Sequence, residues 1–344
     1  MPDIKLALLG FGNVGRALAR LLLIKRDELR RRYQINWQVV GIATLRHGTA
    51  IDPGGLDLEQ ALTLAEAGKD LSPLSLQSAT IDGEIFVRLC GADILFENTP
   101  VNYQTGQPAI SHIKTAIESG MHVITANKGP VVHAYQELTE LARSRKVRFF
   151  FESAVMDGAP IFSMWRETLP AADLLAFRGV LNSTTNLILT LMEEGKSFDE
   201  AVVYTQEIGI AETDPSGDIQ GWDAAVKVAA LVTVLMRVPL KPAQVTREGI
   251  EGLTLKDVKD ALTAGRRWKL VCQATRVGGG AHASVCLEQV EPSDSLYNVI
   301  GTSSSITFES DVLGDLTITE ANPGPQTTAY GLLADFINAV HSSP

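Results

Sequence analysis

Short apolar runs alternate with stretches of helical period through the first third of the chain. Ile4–Leu9 (IKLALL) is apolar and short, as a strand buried on both faces of a parallel sheet must be. It leads into Gly10-Phe11-Gly12-Asn13-Val14-Gly15 and a helical pattern over 16–24, followed by a second strand, Trp37–Ala43. Further strands are predicted at 93–97 and 121–125, with a helix over 107–119 between them. This strand–helix alternation predicts a doubly wound α/β sheet. Past residue 145 the rhythm changes. Strands at 148–151 and 177–182 precede amphipathic helices at 187–194 and 198–208, each ending near a glycine (Gly195, Gly209). A long apolar helix covers 224–236. Strands at 268–276, 283–290, 305–308 and 316–319 have the profile of a mostly antiparallel sheet, and a final helix covers 329–340. Residues 48–76 carry the weakest pattern and read as a loop with one helix.

Composition narrows the function classes. A chain of 344 residues has room for two or three domains, and 45% hydrophobic with 20% charged residues is an ordinary globular balance. The formal net charge of −10, with no basic tract, argues against a nucleic-acid surface. Cys90, Cys272 and Cys286 are too few and too scattered for a disulfide framework or a zinc cluster, which points to a reducing cytoplasm. The apolar N-terminal stretch is too short to span a bilayer and contains Asp3 and Lys5, so no membrane partner is expected from it.

The glycine hexad has a physical reading. Gly10 permits a tight turn, Gly12 lets the backbone approach a pyrophosphate, and Gly15 lets helix and strand pack closely. The anion then meets free N–H groups at the helix start. A G-x-G-x-x-G motif between a first strand and a helix, with a second strand after it, predicts a Rossmann-type dinucleotide fold. At the end of the second strand, where an acid commonly accepts from the ribose 2′-hydroxyl, the chain has Thr44-Leu45-Arg46-His47. Arg46 and His47 either face a 2′-phosphate, favouring NADP over NAD, or are ordinary loop residues. Thr99 and Lys128 follow the strands at 93–97 and 121–125, the end of a parallel sheet where ligands gather. Lys128 is either functional there or a surface lysine in a turn.

The most informative block is 207–236. Lys227 is the only ionisable residue from 224 to 236, so it must be paired, neutralised or in use. Asp223 lies one helical turn before it, and Glu212, Asp214 and Asp218 crowd the preceding turn. This is either a solvated turn and a salt-bridged helix, or a site for a small polar molecule carrying an ammonium. Glu152 and Asp157 flank irregular backbone marked by Gly158 and Pro160, and 183–186 (STTN) is rich in caps for the helix that follows.

Taken in this order, GFGNVG, ITANKGP around Lys128, ESAVMDGAP around Glu152, the 212–227 block and the tail PGPQTTAYGLLADF resemble homoserine dehydrogenases over nearly the whole chain. The resemblance implies reversible, nicotinamide-dependent interconversion of L-homoserine and L-aspartate 4-semialdehyde, a step toward threonine, isoleucine and methionine. By position, Lys227 is the expected general acid, and Lys128 sits by the same oxygen and the cofactor. Glu212 and Asp223 hold the substrate, and Asp218 supports the polar network. Gly10 to Gly15, Thr99, Lys128 and Gly324 are the nucleotide contacts the resemblance implies, beside Arg46 from the reading of the strand end above. Glu152, with backbone at Val155, Asp157 and Ala159, matches a monovalent-cation site for sodium or potassium. Ser183 and Asp157 depart from the family, which commonly has glycine and a small residue there.

The expected architecture is a Rossmann-type nucleotide-binding domain over 1–145, completed by 321–344, and a mixed α+β catalytic and dimerisation region over 146–320. Strands near 146–160 and 270–320 are expected to join two subunits of a homodimer. No room remains for the C-terminal regulatory domain of many relatives, so no threonine feedback through one is expected. Three other functions fit parts of the pattern: another small amino-acid or aldehyde dehydrogenase, a non-catalytic nucleotide-sensing regulator, and a scaffold.

Overall fold

Parallel strands as apolar as these need cover on both faces, and in the computed structural model, which describes residues 3–76 and 82–341, they are largely buried. The chain divides into two compact units, 1–160 with 324–344, and 161–323. The expected domain ends at 1–2 and 342–344 lie outside the described residues.

The first unit is built on a six-stranded sheet. Its strands are β1 (Ile4–Leu9), β2 (Trp37–Ala43), β3 (Thr49–Ile51), β4 (Ile94–Glu97), β5 (His122–Thr125) and β6 (Phe149–Phe150), in the order β3-β2-β1-β4-β5-β6. All pairings are parallel except β2 with β3. The order reverses at β1, between β2 and β4, and this is where ligands bind in such sheets. Helices α1 (Asn13–Tyr33), α2 (Leu58–Glu66), α3 (Gly83–Leu89), α4 (Ala109–Glu118) and α5 (Lys128–Arg145) cover it. The weakly patterned region thus holds β3 as well as α2, each only a few residues long.

A C-terminal helix, Pro325–His341, returns to this unit. Its Phe336 meets Phe96 of β4 edge-on, with ring centroids 6.1 Å apart, and Leu332 and Leu333 join the same core. Residues 146–160 also belong here. β6 extends the sheet, and the following loop bonds to the C-terminal helix: Glu152 N–H donates to Asp335 Oδ2 (2.7 Å) and Ser153 Oγ to Thr328 O (2.7 Å). The boundary therefore falls at Pro160, past the residue 145 expected from the change of rhythm.

The second unit carries β7 (Leu174–Val180), β8 (Thr246–Arg247), β9 (Arg267–Val277), β10 (Gly280–Val290), β11 (Ser304–Ser310) and β12 (Leu316–Glu320), in the order β12-β11-β7-β9-β10-β8. Only the short β8–β10 pair is parallel. Helices α6 (Ser183–Glu193), α7 (Phe198–Glu207), α8 (Ser216–Ile219), α9 (Trp222–Leu235) and α10 (Leu255–Thr263) complete the unit. In α9, Ala224 to Val226 and Val228 to Val232 are entirely buried, which explains an apolar run with no amphipathic period. Among the described residues no helix is long and apolar enough to cross a membrane, and the three cysteines are free.

Candidate active site

The turn after β1 has the shape the glycines require. Gly10 has φ +97°, and a Cβ there would lie 2.3 Å from Asn98 O; one on Gly15 would lie 2.4 Å from Gly10 O. A Cβ on Gly12 would meet no atom within 4 Å, so the open side of the turn is free for a ligand. No side chain caps the start of α1, leaving its first N–H groups for an anion. Phe11 is buried, Val14 is half-buried, and the exposed Asn13 accepts from Arg16 Nη2 (2.9 Å). Beside Gly10, at the end of β4, both amide atoms of Asn98 are buried with no protein partner. A bound nucleotide can satisfy them, so the cradle fits the group.

The ends of β4 and β5 are laced together. Glu97, fully buried, accepts from the Thr99 backbone N–H (3.2 Å), the Thr99 hydroxyl and Thr125 Oγ1 (3.1 Å). Asn127 donates through Nδ2 to Thr99 O (3.1 Å) and caps α5 by accepting from Gly129 N–H (3.0 Å). Lys128 is the first residue of α5, so this lacing fixes where its backbone starts. Arg46 is exposed in the bend after β2, and no acid ends that strand. Gly324 opens the turn into the C-terminal helix, with its N–H donating to Thr327 Oγ1 (2.9 Å).

In the second unit the lysine is paired, as its apolar setting demands. Lys227 Nζ lies 3.1 Å from Asp223 Oδ2 and donates to Leu181 O at 2.6 Å, with the two side chains only 15% and 7% exposed. Gly221 makes this cluster possible. Its φ of +76° turns the chain sharply from α8 into α9, so Asp218 and Asp223 face one partner, Asn182. Asn182 Nδ2 donates to Asp218 Oδ1 (2.6 Å) and to Asp223 Oδ2 (3.0 Å). Burial and the neighbouring Asp223 push the Asp218 carboxyl up, while Asn182, Lys227 and Thr184 hold it down. Asp218 thus serves the cluster; Gly221 occupies the N-cap position of α9.

Not every expected residue joins these groups. Glu212 is exposed in the loop before α8, with only its backbone oxygen engaged, by Gln206 Nε2 (3.2 Å). Glu152, Val155 and Ala159 are buried in the first unit. The backbone between them turns through positive φ at Met156 (+52°) and Asp157 (+49°). The Asp157 carboxylate accepts from the Thr328 hydroxyl, which accounts for an acid where small residues are common. Among the described residues no three His, Cys, Asp or Glu side chains cluster as metal ligands, so a cation here needs backbone oxygens around Glu152. Ser183 fits as the first residue of α6, where a helical conformation suits serine. Spacing does not single out Asn182, whose carboxylate partners are distant in sequence, or Asn98, whose amide atoms have no protein partner to reveal them.

A switch-point glycine cradle in one unit and a buried lysine–carboxylate cluster in the other define a nicotinamide-nucleotide-dependent oxidoreductase. Comparison with known proteins gives the same class and narrows it. The family model "Homoserine dehydrogenase" matches residues 160–337, and "Homoserine dehydrogenase, NAD binding domain" matches 10–152. The chain is 36% identical over 347 residues to the NAD(+)-dependent homoserine dehydrogenase of Pseudomonas canavaninivorans, covering 100% of this chain and 97% of that one. It is 35% identical to the homoserine dehydrogenase of Methanocaldococcus jannaschii, covering 98% of each. A hyperthermophilic archaeal homoserine dehydrogenase solved with NADPH superposes with a TM-score of 0.84 at 29% identity, over 100% of this chain and 99% of that one. The chain belongs to the homoserine dehydrogenase family. Its reaction is the NAD(P)-dependent interconversion of L-homoserine and L-aspartate 4-semialdehyde, on the route to threonine, methionine and isoleucine.

Proposed function

We propose that Lys227 is the general acid for aldehyde reduction, and that Lys128 assists at the same oxygen. The observation that carries this is the Lys227 ammonium held 3.1 Å from Asp223 Oδ2, with a second carboxylate, Asp218, tied to the same Asn182 amide, so that one cation and two acids converge at the start of an apolar helix. The nicotinamide nucleotide, when bound, supplies the hydride to the aldehyde carbon. Lys227 then gives its proton to the carbonyl oxygen as negative charge develops there. Asp223 orients the lysine and, with Glu212, receives the substrate ammonium; Asp218 supports both. In homoserine oxidation the same lysine, neutral, takes the hydroxyl proton.

Gly10 to Gly15, Thr99, Lys128 and Gly324 line the nucleotide in this reading, with Asn98 added. Arg46, exposed after β2 with no acid beside it on the strand, supports NADP as the preferred cofactor. Sodium or potassium at Glu152, with backbone oxygens of Val155, Asp157 and Ala159, is supported by the buried carboxylate and the reversed backbone at 156–157. Residues 1–145 and the C-terminal helix serve the nucleotide, and the rest serves catalysis and association. A homodimer through the second unit is supported by the exposed Val277, Val312 and Leu313.

The test is nucleotide reduction with L-homoserine, run separately with NADP and NAD, for the wild type and Arg46→Ala. The expected result is turnover with both, a higher kcat/KM for NADP, and loss of that preference in the variant. Turnover with other amino-alcohols but not homoserine would overturn the substrate assignment. A preference for NAD that Arg46→Ala leaves untouched would overturn the cofactor reading.

A further inference from the structure

We propose that Asn182 is a positioning residue for homoserine turnover: its amide N–H2 bridges Asp218 and Asp223 and so sets where the Lys227 pair stands. The inference rests on Lys227 and Asp223 acting as described above.

The orientation of the amide is fixed by its own bonds. Asn182 Oδ1 accepts from Thr185 N–H (2.8 Å) and Thr185 Oγ1 (2.8 Å), capping α6. With the oxygen committed to two donors, the N–H2 must face the carboxylates, and a flipped amide would set oxygen against oxygen on both sides. Asp223 Oδ2 therefore accepts two bonds, from Asn182 (3.0 Å) and from Lys227 (3.1 Å), while the preceding Leu181 O accepts from Lys227 (2.6 Å). Two consecutive residues at the end of β7 hold the cation and its anion together.

Neutrality is the second half of the role. Asp218 and Asp223 repel each other across a buried cluster, and a cation between them would neutralise the pair that Lys227 needs. An amide donates to both without adding charge. The groups facing Asp218 and Asp223 are Asn182 and Thr184 of the β7–α6 junction, Lys227 of α9, and the Cys272 thiol of β9. Burial pushes that thiol up to about 12, so it stays uncharged across the working range. Burial and Asp223 already push Asp218 up; without the Asn182 donor, one proton is retained by the carboxylate pair at higher pH.

The test compares wild type, Asn182→Ser and Asn182→Asp by the pH profile of kcat/KM for homoserine. Both substitutions keep an oxygen that can cap α6, so loss of the cap alone does not distinguish them. Asn182→Ser should raise the acid limb by about one pH unit, so that kcat/KM falls by up to roughly tenfold on the acid side of the limb and recovers as pH rises, with unchanged NADPH affinity. Asn182→Asp, with a third carboxylate, should shift the limb further. If either variant folds and turns over with the wild-type limb, the inference is wrong. Should both fail to fold, Asn182→Gly, measured the same way, carries the same expectation and the same refutation. Wild-type enzyme without homoserine turnover would instead sink the underlying assignment, so the two failures are told apart.

Discussion

Replacing Lys227 by Met separates chemistry from stability, because methionine keeps the buried stem and removes only the ammonium. Two bonds are lost, to Leu181 O at 2.6 Å and to Asp223 Oδ2 at 3.1 Å. A buried carboxylate stripped of every partner would cost about 3–5 kcal/mol. Here Asp223 retains the Asn182 donor at 3.0 Å, which brings the cost down to about 2 kcal/mol. For a unit of this size that lowers Tm by about 4–8 °C, and the variant remains folded. Loss of acid catalysis removes about 10²- to 10⁴-fold from kcat, or about 3–5 kcal/mol of barrier. Melting by circular dichroism, NADPH titration by fluorescence and nucleotide reduction with homoserine measure the three quantities separately. The expected outcome is a modest fall in Tm, unchanged NADPH affinity and nearly all turnover gone. A folded variant retaining kcat within about tenfold of wild type would refute the general-acid role.

Asp223→Asn should raise the KM for homoserine by at least tenfold in steady-state assays, and an unaltered KM would remove it from the substrate site. Gly158→Ala places a Cβ 2.3 Å from Thr327 O, so chemical denaturation should show a loss of about 2 kcal/mol or more; no loss would mean the loop yields freely. Lys269 is fully buried, and burial lowers its pKa from 10.5 to about 8. Between pH 8 and 10.5 the unfolded chain therefore holds a proton that the native state has released, so this residue adds stability as pH rises. The difference in unfolding free energy between wild type and Lys269→Met should move in favour of wild type by about 3 kcal/mol over that window, and a flat difference would contradict it.

Elements with a strong local rule were readable from sequence. The buried strands Ile4–Leu9 and Trp37–Ala43 lie where their apolar runs placed them, and Gly10, Gly12 and Gly15 each have the surroundings a dinucleotide turn demands. Lys227 was legible because one charge in an apolar run must find a partner, and it did. Helix α5 was obscured by Gly129-Pro130, although proline is at home in a first helical turn. Helix α10 carries the Thr254–Asp257 capping box and an apolar face of Leu255, Val258, Ala261 and Leu262, signals not used in placing the elements from sequence. The boundary at Pro160 depends on bonds to residues 328 and 335, far along the chain. Asn182 was missed for the same reason, since its carboxylate partners lie 36 and 41 residues away. The spacing of acids points to Glu212 and Asp218 alike; the turn at Gly221 is what ties Asp218 to Asp223 through Asn182, while Glu212 stands exposed in the preceding loop.

The C-terminal helix closes a unit that begins at the other end of the chain, with the second unit inserted between. During synthesis, residues 161–323 emerge before Phe336 does, so the core around Phe96 lacks that ring until the helix carrying it has been made. Competence for the coenzyme therefore waits on that helix, and a stop within it would abolish the one while sparing the half that was made in the middle.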